Sequence, residues 1–255
     1  MKPLLLLIVS LPFISCGQPV NKTPEPPDKP DSINSSYATV EEIPLPDGYK
    51  RINADPNSFT TFLRHLKLKK DKTVYLYNGH AKQNQSAQFA VIDMPVGKED
   101  LQQCADAVMR IRAEYLFQDK KYKEIVFSNN DGKAYTFKEP YTPAHLEQYL
   151  KPVFSNCGTA SLSKQLKNIS MNEIQPGDVF IKGGFPGHAV IVTDVAVNKA
   201  GKKIFMLAQS YMPAQDIHIL KNPKFNKNTP WYYIENNEII NTPEWTFYTT
   251  QLKRW

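Results

Sequence analysis

Between Phe59 and Leu66 the apolar residues Phe59, Phe62, Leu63 and Leu66 recur at spacings of three and four, which predicts one buried stripe of a helix opened by Asp55-Pro56. Thr73 to Tyr77 and Phe89 to Met94 have the composition of strands, and Asp100 to Phe117 has helical periodicity. Glu124 to Ser128 pairs with Ala134 to Phe137 as a hairpin turning at Asn130-Asp131-Gly132. Thr142-Pro143 opens a helix running to Leu150, a shorter one covers Thr159 to Leu166, and from Asp178 onward the pattern is of strands and loops. Helices first and antiparallel strands last predict an α+β fold.

Two segments precede this pattern. Leu4 to Ile14 is an apolar run too short to span a bilayer and reads, with Lys2 before it, as a secretory signal over residues 1–15. Ile14-Ser15-Cys16-Gly17 resembles the lipobox of bacterial lipoproteins, although Phe13 stands where a Leu is usual. That resemblance implies cleavage before Cys16, lipidation of its sulfur and an anchor in an envelope membrane; the other reading is an ordinary signal with an incidental Cys. Residues 16–36, with Pro19, Pro24, Pro26, Pro27 and Pro30 among polar residues, form a tether, and residues 37–255 form one domain.

Composition narrows the class. With 255 residues, 41% hydrophobic, a mean hydropathy of -0.45 and 31 Lys+Arg against 25 Asp+Glu, the chain is neither a multi-pass membrane protein nor wholly disordered. The net charge of +6 is mild, and the clusters Lys67, Lys69, Lys70, Lys72 and Lys120, Lys121, Lys123 read as solvated faces before they read as contacts with anionic lipid. Nucleic acid is not expected for an exported chain. Neither a phosphate loop nor a dinucleotide fingerprint is present, and the five His lack ligand spacing, so no cofactor or metal is expected.

The residues that suggest chemistry lie downstream. Pro176-Gly177-Asp178 leads Val179-Phe180-Ile181, the Gly183-Gly184-Phe185-Pro186-Gly187 connection follows, and His188 opens Ala189-Val190-Ile191-Val192. This turn, strand, loop and His-led strand resembles the NlpC-type papain-like cysteine peptidases of bacterial envelopes. Taken whole, the chain looks like uncharacterised bacterial lipoproteins grouped as a domain of unknown function. The resemblance implies a papain-like fold, an antiparallel sheet packed against a helix that bears the nucleophile, and a Cys preceding the catalytic His.

Cys104, in the opening of the Asp100 to Phe117 helix, is the favoured nucleophile because helix-start amides stabilise a thiolate. Cys157 is the competitor, and a Cys104–Cys157 disulfide is the structural alternative. His188 needs an orienting partner. Asp194 lies about 20 Å along the same strand at ~3.3 Å per residue. If Asn198 to Gly201 is a four-residue hairpin loop, Val197 faces Lys202, His188 faces Tyr211, and Gln209 lies diagonal to His188 on the same face. Gln209 is thus the third candidate, in place of the His, Asp or Glu frequent in the resembled family.

The backbone of Cys104 with the side chain of Gln103 or Gln102 is the candidate oxyanion hole. Gly183, Gly184 and Gly187 give the loop before His188 freedom or simply connect two strands. Trp231, Tyr232, Tyr233, Trp245, Phe247 and Tyr248 line a groove or, more often, fill a core. The expectation is a lipid-anchored cysteine hydrolase of amide bonds, with the peptides of peptidoglycan as substrate implied by resemblance. The alternatives are a non-catalytic lipoprotein binding a cell-wall peptide or a partner, and acyl transfer on lipid.

Overall fold

The computed structural model describes residues 37–225, 228–235 and 238–255, so the signal segment, Cys16 and the tether lie outside the described residues. In chain order the elements begin β1 (Tyr49–Arg51), α1 (Phe59–Arg64), β2 (Gln88–Val91), α2 (Cys104–Gln118), β3 (Val126–Ser128), β4 (Ala134–Thr136), α3 (Pro143–Asn156) and α4 (Thr159–Gln165). They continue with β5 (Lys167–Asn168), β6 (Val179–Lys182), β7 (His188–Asn198), β8 (Lys203–Gln209), β9 (His218–Leu220), β10 (Tyr232–Tyr233), β11 (Ile239–Asn241), β12 (Thr246–Tyr248) and β13 (Leu252–Arg254).

The architecture is α+β. One antiparallel sheet runs β2-β9-β8-β7-β6-β13-β5, with β1 added to β7 and β10 to β8. Strand alternation sends the two faces of this sheet into different cores. Ala189, Ile191, Met206 and Ala208 pack beneath α2, α3 and α4 with Val108, Met109, Leu150 and Leu162. Val190, Val192, Phe205 and Leu207 face Ile240 and Phe247 of the β11–β12 hairpin on the other side. Both faces are therefore covered, which is why β7 is buried from His188 to Ala196. Among the described residues no helix is long and apolar enough to cross a membrane.

Several boundaries differ from the sequence pattern, each for a local reason. α1 begins at Phe59, not at Asp55-Pro56, because the Ser58 hydroxyl caps the Thr61 amide at 3.3 Å. α3 continues past Leu150 through Pro152 to Asn156, held by burial of Leu146, Leu150 and Val153 despite the missing proline N–H. Thr73 to Tyr77 makes only isolated bridges, since side chains replace a ladder: Val74 N donates to Gln85 Oε1 at 3.0 Å and Tyr75 N to Asp216 Oδ2 at 3.0 Å. The hairpin does form as β3–β4, with Gly132 at φ +83° in its turn and the Asn129 side chain accepting from the Asp131 and Lys133 amides.

A bulge sets the register of the central pair. Val197 opposes Lys203, not Lys202, down to Asp194 opposite Met206; then Val192 opposes Leu207, leaving Thr193 extra. The one-residue slip of the turn and the one-residue bulge cancel. Ile191 consequently opposes Ala208, and the count continued to His188 reaches Tyr211 as first expected.

Asp194 sits at the bulge with its side chain wholly buried. It receives Arg51 Nε at 2.6 Å, Arg64 Nε at 2.8 Å and the Val195 amide at 2.9 Å, which ties β1 and α1 to β7. Asp194→Asn leaves two guanidinium groups without their counter-charge, an imbalance that costs about 3 kcal/mol or more. A correspondingly earlier urea midpoint with an unchanged slope is the expected result, read by circular dichroism.

Candidate functional site

The amino end of α2 is fastened before its chemistry is considered. Gln103 caps it, with its own amide donating to Asp106 Oδ2 at 3.0 Å, so Cys104 is the first helical residue. The Ser210 hydroxyl, at the exit of β8, lies 3.0 Å from the Gln102 carbonyl, and Asp100 Oδ1 accepts from Ala214 N at 2.7 Å and Gln103 Nε2 at 3.1 Å. Helix start and strand end are thus one unit.

Cys104 reaches the edge of β7 just where β8 has left it. Val192 donates to Asp178 on the β6 side, so by alternation the Ala189 amide points to the opposite edge, two residues beyond the last β7–β8 pair, Ile191 with Ala208. That amide and those of Ala105 and Cys104 itself act as donors toward the sulfur and favour its anion. Burial outweighs them, with Asp106 adding to it, and pushes the thiol up to about 11.

His188 begins β7. The turn before β6 is structural: Gly177 has φ +94° and a Cβ there would lie 2.6 Å from the Phe59 ring, while Asp178 is gripped by Arg254 at 2.6 and 2.9 Å. Gly187, directly before His188, is the second enforced glycine, because any side chain would strike the Lys182 carbonyl and Thr159. The imidazole is nearly buried against Tyr211, Trp245 and Phe247, with ring centroids 4.7, 5.3 and 5.8 Å away. Its Nε2 is 2.8 Å from Gln209 Oε1. Burial depresses the ring to about 4, against the smaller opposing effects of the Gln209 hydrogen bond and the Glu244 charge.

Behind Gln209 the polar chain continues to residues that carried no sequence signal. Gln209 Nε2 donates to Glu244 Oε2 at 2.8 Å and lies 3.4 Å from His218 Nε2. Glu244 Oε2 also takes Lys82 Nζ at 2.6 Å, and its Oε1 takes Asn84 Nδ2 at 3.1 Å. His218 was reachable by register, since it pairs with Gln209 across β8 and β9. Glu244, Lys82 and Asn84 come from loops distant in sequence, and nothing local marks them.

Cys104, Gln103 and His188 line one cleft of about 350 Å³ with Cys157, Tyr211 and Trp245. Among its described lining residues Asp106 is the only carboxyl and there is no Lys or Arg; burial holds the Asp106 carboxyl well above the usual range. Phe185, 97% exposed, and Met212 stand at the rim. Gln102 is not part of this cleft, since its side chain turns to Arg110 and a neighbouring cavity, so of the candidate donors Gln103 and the α2 amides remain for an oxyanion. Cys157 caps α3 and keeps a free thiol pushed up to about 11, chiefly by burial, and Cys104 is likewise free, so the two are not joined. Of the downstream aromatics, Trp231, Tyr232 and Phe247 are core, Tyr248 is exposed, and Trp245 faces the cleft.

Burial of a neutral imidazole has a sign in acid. The unfolded ring takes a proton near 6.5 and the folded His188 only near 4, so its contribution is complete above pH 6.5 and is lost as pH falls toward 4, by about 3 kcal/mol. Asp106, whose carboxyl burial raises, works in the opposite direction over that range, so the wild-type curve alone mixes the two. The difference in unfolding free energy between wild type and His188→Phe isolates the imidazole and should shrink by about 3 kcal/mol from pH 7 to 4 in urea titrations.

Comparison with known proteins adds a family and no activity. No curated protein and no solved structure matches the chain. The family model described as Domain of unknown function (4846) matches residues 40–142 and 136–254, a span that includes Cys104, His188, Gln209 and Glu244, and the chain therefore belongs to that family.

Proposed function

We propose that the protein is a lipid-anchored component of a bacterial cell envelope whose α+β unit is a papain-like cysteine hydrolase of amide bonds, with peptidoglycan peptides as the substrate class. Cys16 is the proposed anchor and the membrane the proposed location. The observation that carries the hydrolase reading is the shared cleft: a sulfur at a helix start, an imidazole at the adjacent strand end, and an amide on the Nε2 of that ring.

In this reading Cys104 Sγ attacks the carbonyl carbon while His188 takes the thiol proton on its free nitrogen. The α2 amides meet the oxyanion, His188 returns the proton to the leaving amine, and water then cleaves the thioester with His188 again as base. The resting pair is neutral. Moving the proton from a thiol near 11 to an imidazole near 4 costs on the order of 10 kcal/mol. Even a thiolate and imidazolium brought to about 4 Å would recover only about 4 kcal/mol of it at an effective dielectric of about 20. Proton transfer therefore accompanies attack and does not precede it.

The same neutrality favours a second reading, a non-catalytic lipoprotein that uses the uncharged cleft and its Phe185–Met212 rim to hold a cell-wall peptide or a partner. Exposure to a thiol-directed electrophile separates the two. Hydrolysis predicts selective labelling of Cys104 over Cys157, loss of that selectivity in His188→Ala, and release of peptides from purified peptidoglycan that Cys104→Ala abolishes. No release, with labelling indifferent to His188→Ala, leaves the binder, whose Cys104→Ser variant should still sediment with peptidoglycan. The anchor is checked separately: labelled fatty acid should enter the full chain in bacteria and be lost in Cys16→Ser.

A further inference from the structure

We infer that Glu244 is a positioning residue that selects the tautomer of His188 through the side-chain amide of Gln209. The inference rests on the reading of His188 as the base for Cys104 and extends it by two shells. Gln209 has one donor end and one acceptor end, and only their sense decides what His188 must present. A carboxylate accepts only, so Glu244 Oε2 at 2.8 Å requires the NH2 end of Gln209.

His218 reinforces that sense. Its Nδ1 lies 2.9 Å from the Asp216 carbonyl, which also only accepts, so the proton of this buried neutral ring is on Nδ1 and its Nε2 is free to accept the second N–H of Gln209 at 3.4 Å. Oε1 of Gln209 is then left facing His188 Nε2 at 2.8 Å and must receive a hydrogen from it. A neutral ring protonated at Nε2 has a bare Nδ1, the lone pair that a thiol proton requires.

Lys82 completes the logic from behind. Its ammonium, 2.6 Å from Glu244 Oε2, and Asn84 at Oε1 outweigh the burial that raises the carboxyl, and they hold it below its ordinary range. A carboxylate at position 209 itself would stand within hydrogen-bond distance of Glu244 as a second negative charge, which explains why a neutral amide occupies the place.

The test separates orientation from mere scaffolding. Ring ¹⁵N shifts of the wild-type chain at pH 7 should show His188 with its proton on Nε2 alone. Glu244→Gln should keep that state, because Lys82 still demands an oxygen at the shared position. Lys82→Met/Glu244→Gln removes one charge of each sign and lets residue 244 offer either end, so Gln209 can turn: both tautomers should appear, with Cys104 alkylation by iodoacetamide slowed on the order of tenfold. A single Nε2–H tautomer in the folded double variant overturns the inference. If the double variant does not fold, Glu244→Met, which leaves Gln209 no acceptor at this position, is read in its place, and a single Nε2–H tautomer there overturns the inference equally. Alkylation indifferent to His188→Ala would instead remove the Cys104–His188 reading and leave the tautomer result standing.

Discussion

One extra residue in the central strand governs the geometry on which the rest depends. The bulge at Thr193 turns Asp194 inward to Arg51 and Arg64 and shifts every pair beyond it, so that β7 and β8 end with Ile191 against Ala208. A register slip of one residue exchanges the faces of a strand. Without the bulge, His188 and Gln209 would not leave the sheet on the same side, and the buried partners of Gln209 would face the helical core. The buried charge at Asp194 is costly unless both arginines are present, and that requirement makes the bulge a discrete feature and not a variable one.

Where β8 departs, β7 exposes the Ala189 amide at an edge, and unpaired strand amides need acceptors. α2 supplies one by starting there. The sulfur of Cys104 occupies the gap between the two strands, held by a capping residue, a carboxyl and a serine hydroxyl that link the loop before α2 to the loop after β8. Nucleophile candidate and imidazole are thus joined through backbone, although the sheet sends His188 toward the β11–β12 hairpin and α2 packs on the opposite face.

Legibility followed the range of the physics. The β3–β4 hairpin, the helices and the His188–Gln209 neighbourhood were readable because periodicity, turn chemistry and strand alternation are local rules. The count to Gln209 succeeded through two offsetting facts, a longer turn and a bulge, of which the sequence pattern showed neither. Thr73 to Tyr77 has strand composition but forms no ladder, its first three amides going to side chains and only Leu76 and Tyr77 to the His80 and Ala214 carbonyls, and Gln102, though adjacent to Gln103, turns away because its neighbour in space is Arg110. Glu244 and Lys82 meet only after the whole chain has folded. Tertiary pairings of lone charges leave no trace in a single sequence.

The position of charge around the cleft is itself an argument about chemistry. A carboxylate directly on His188 would raise the ring and favour a thiolate–imidazolium pair over the neutral one. Here the carboxylate is set one amide further back, balanced by Lys82, while the amide in contact with the ring is neutral. Asp106, the remaining carboxyl, is buried toward its neutral form. The described lining of the cleft shared by Cys104 and His188 therefore has no Lys or Arg and a single carboxyl, which burial raises. Under the proposed hydrolysis, the α2 amides that now donate toward the sulfur would interact more strongly with an oxyanion than with the resting thiol, the differential that acceleration requires.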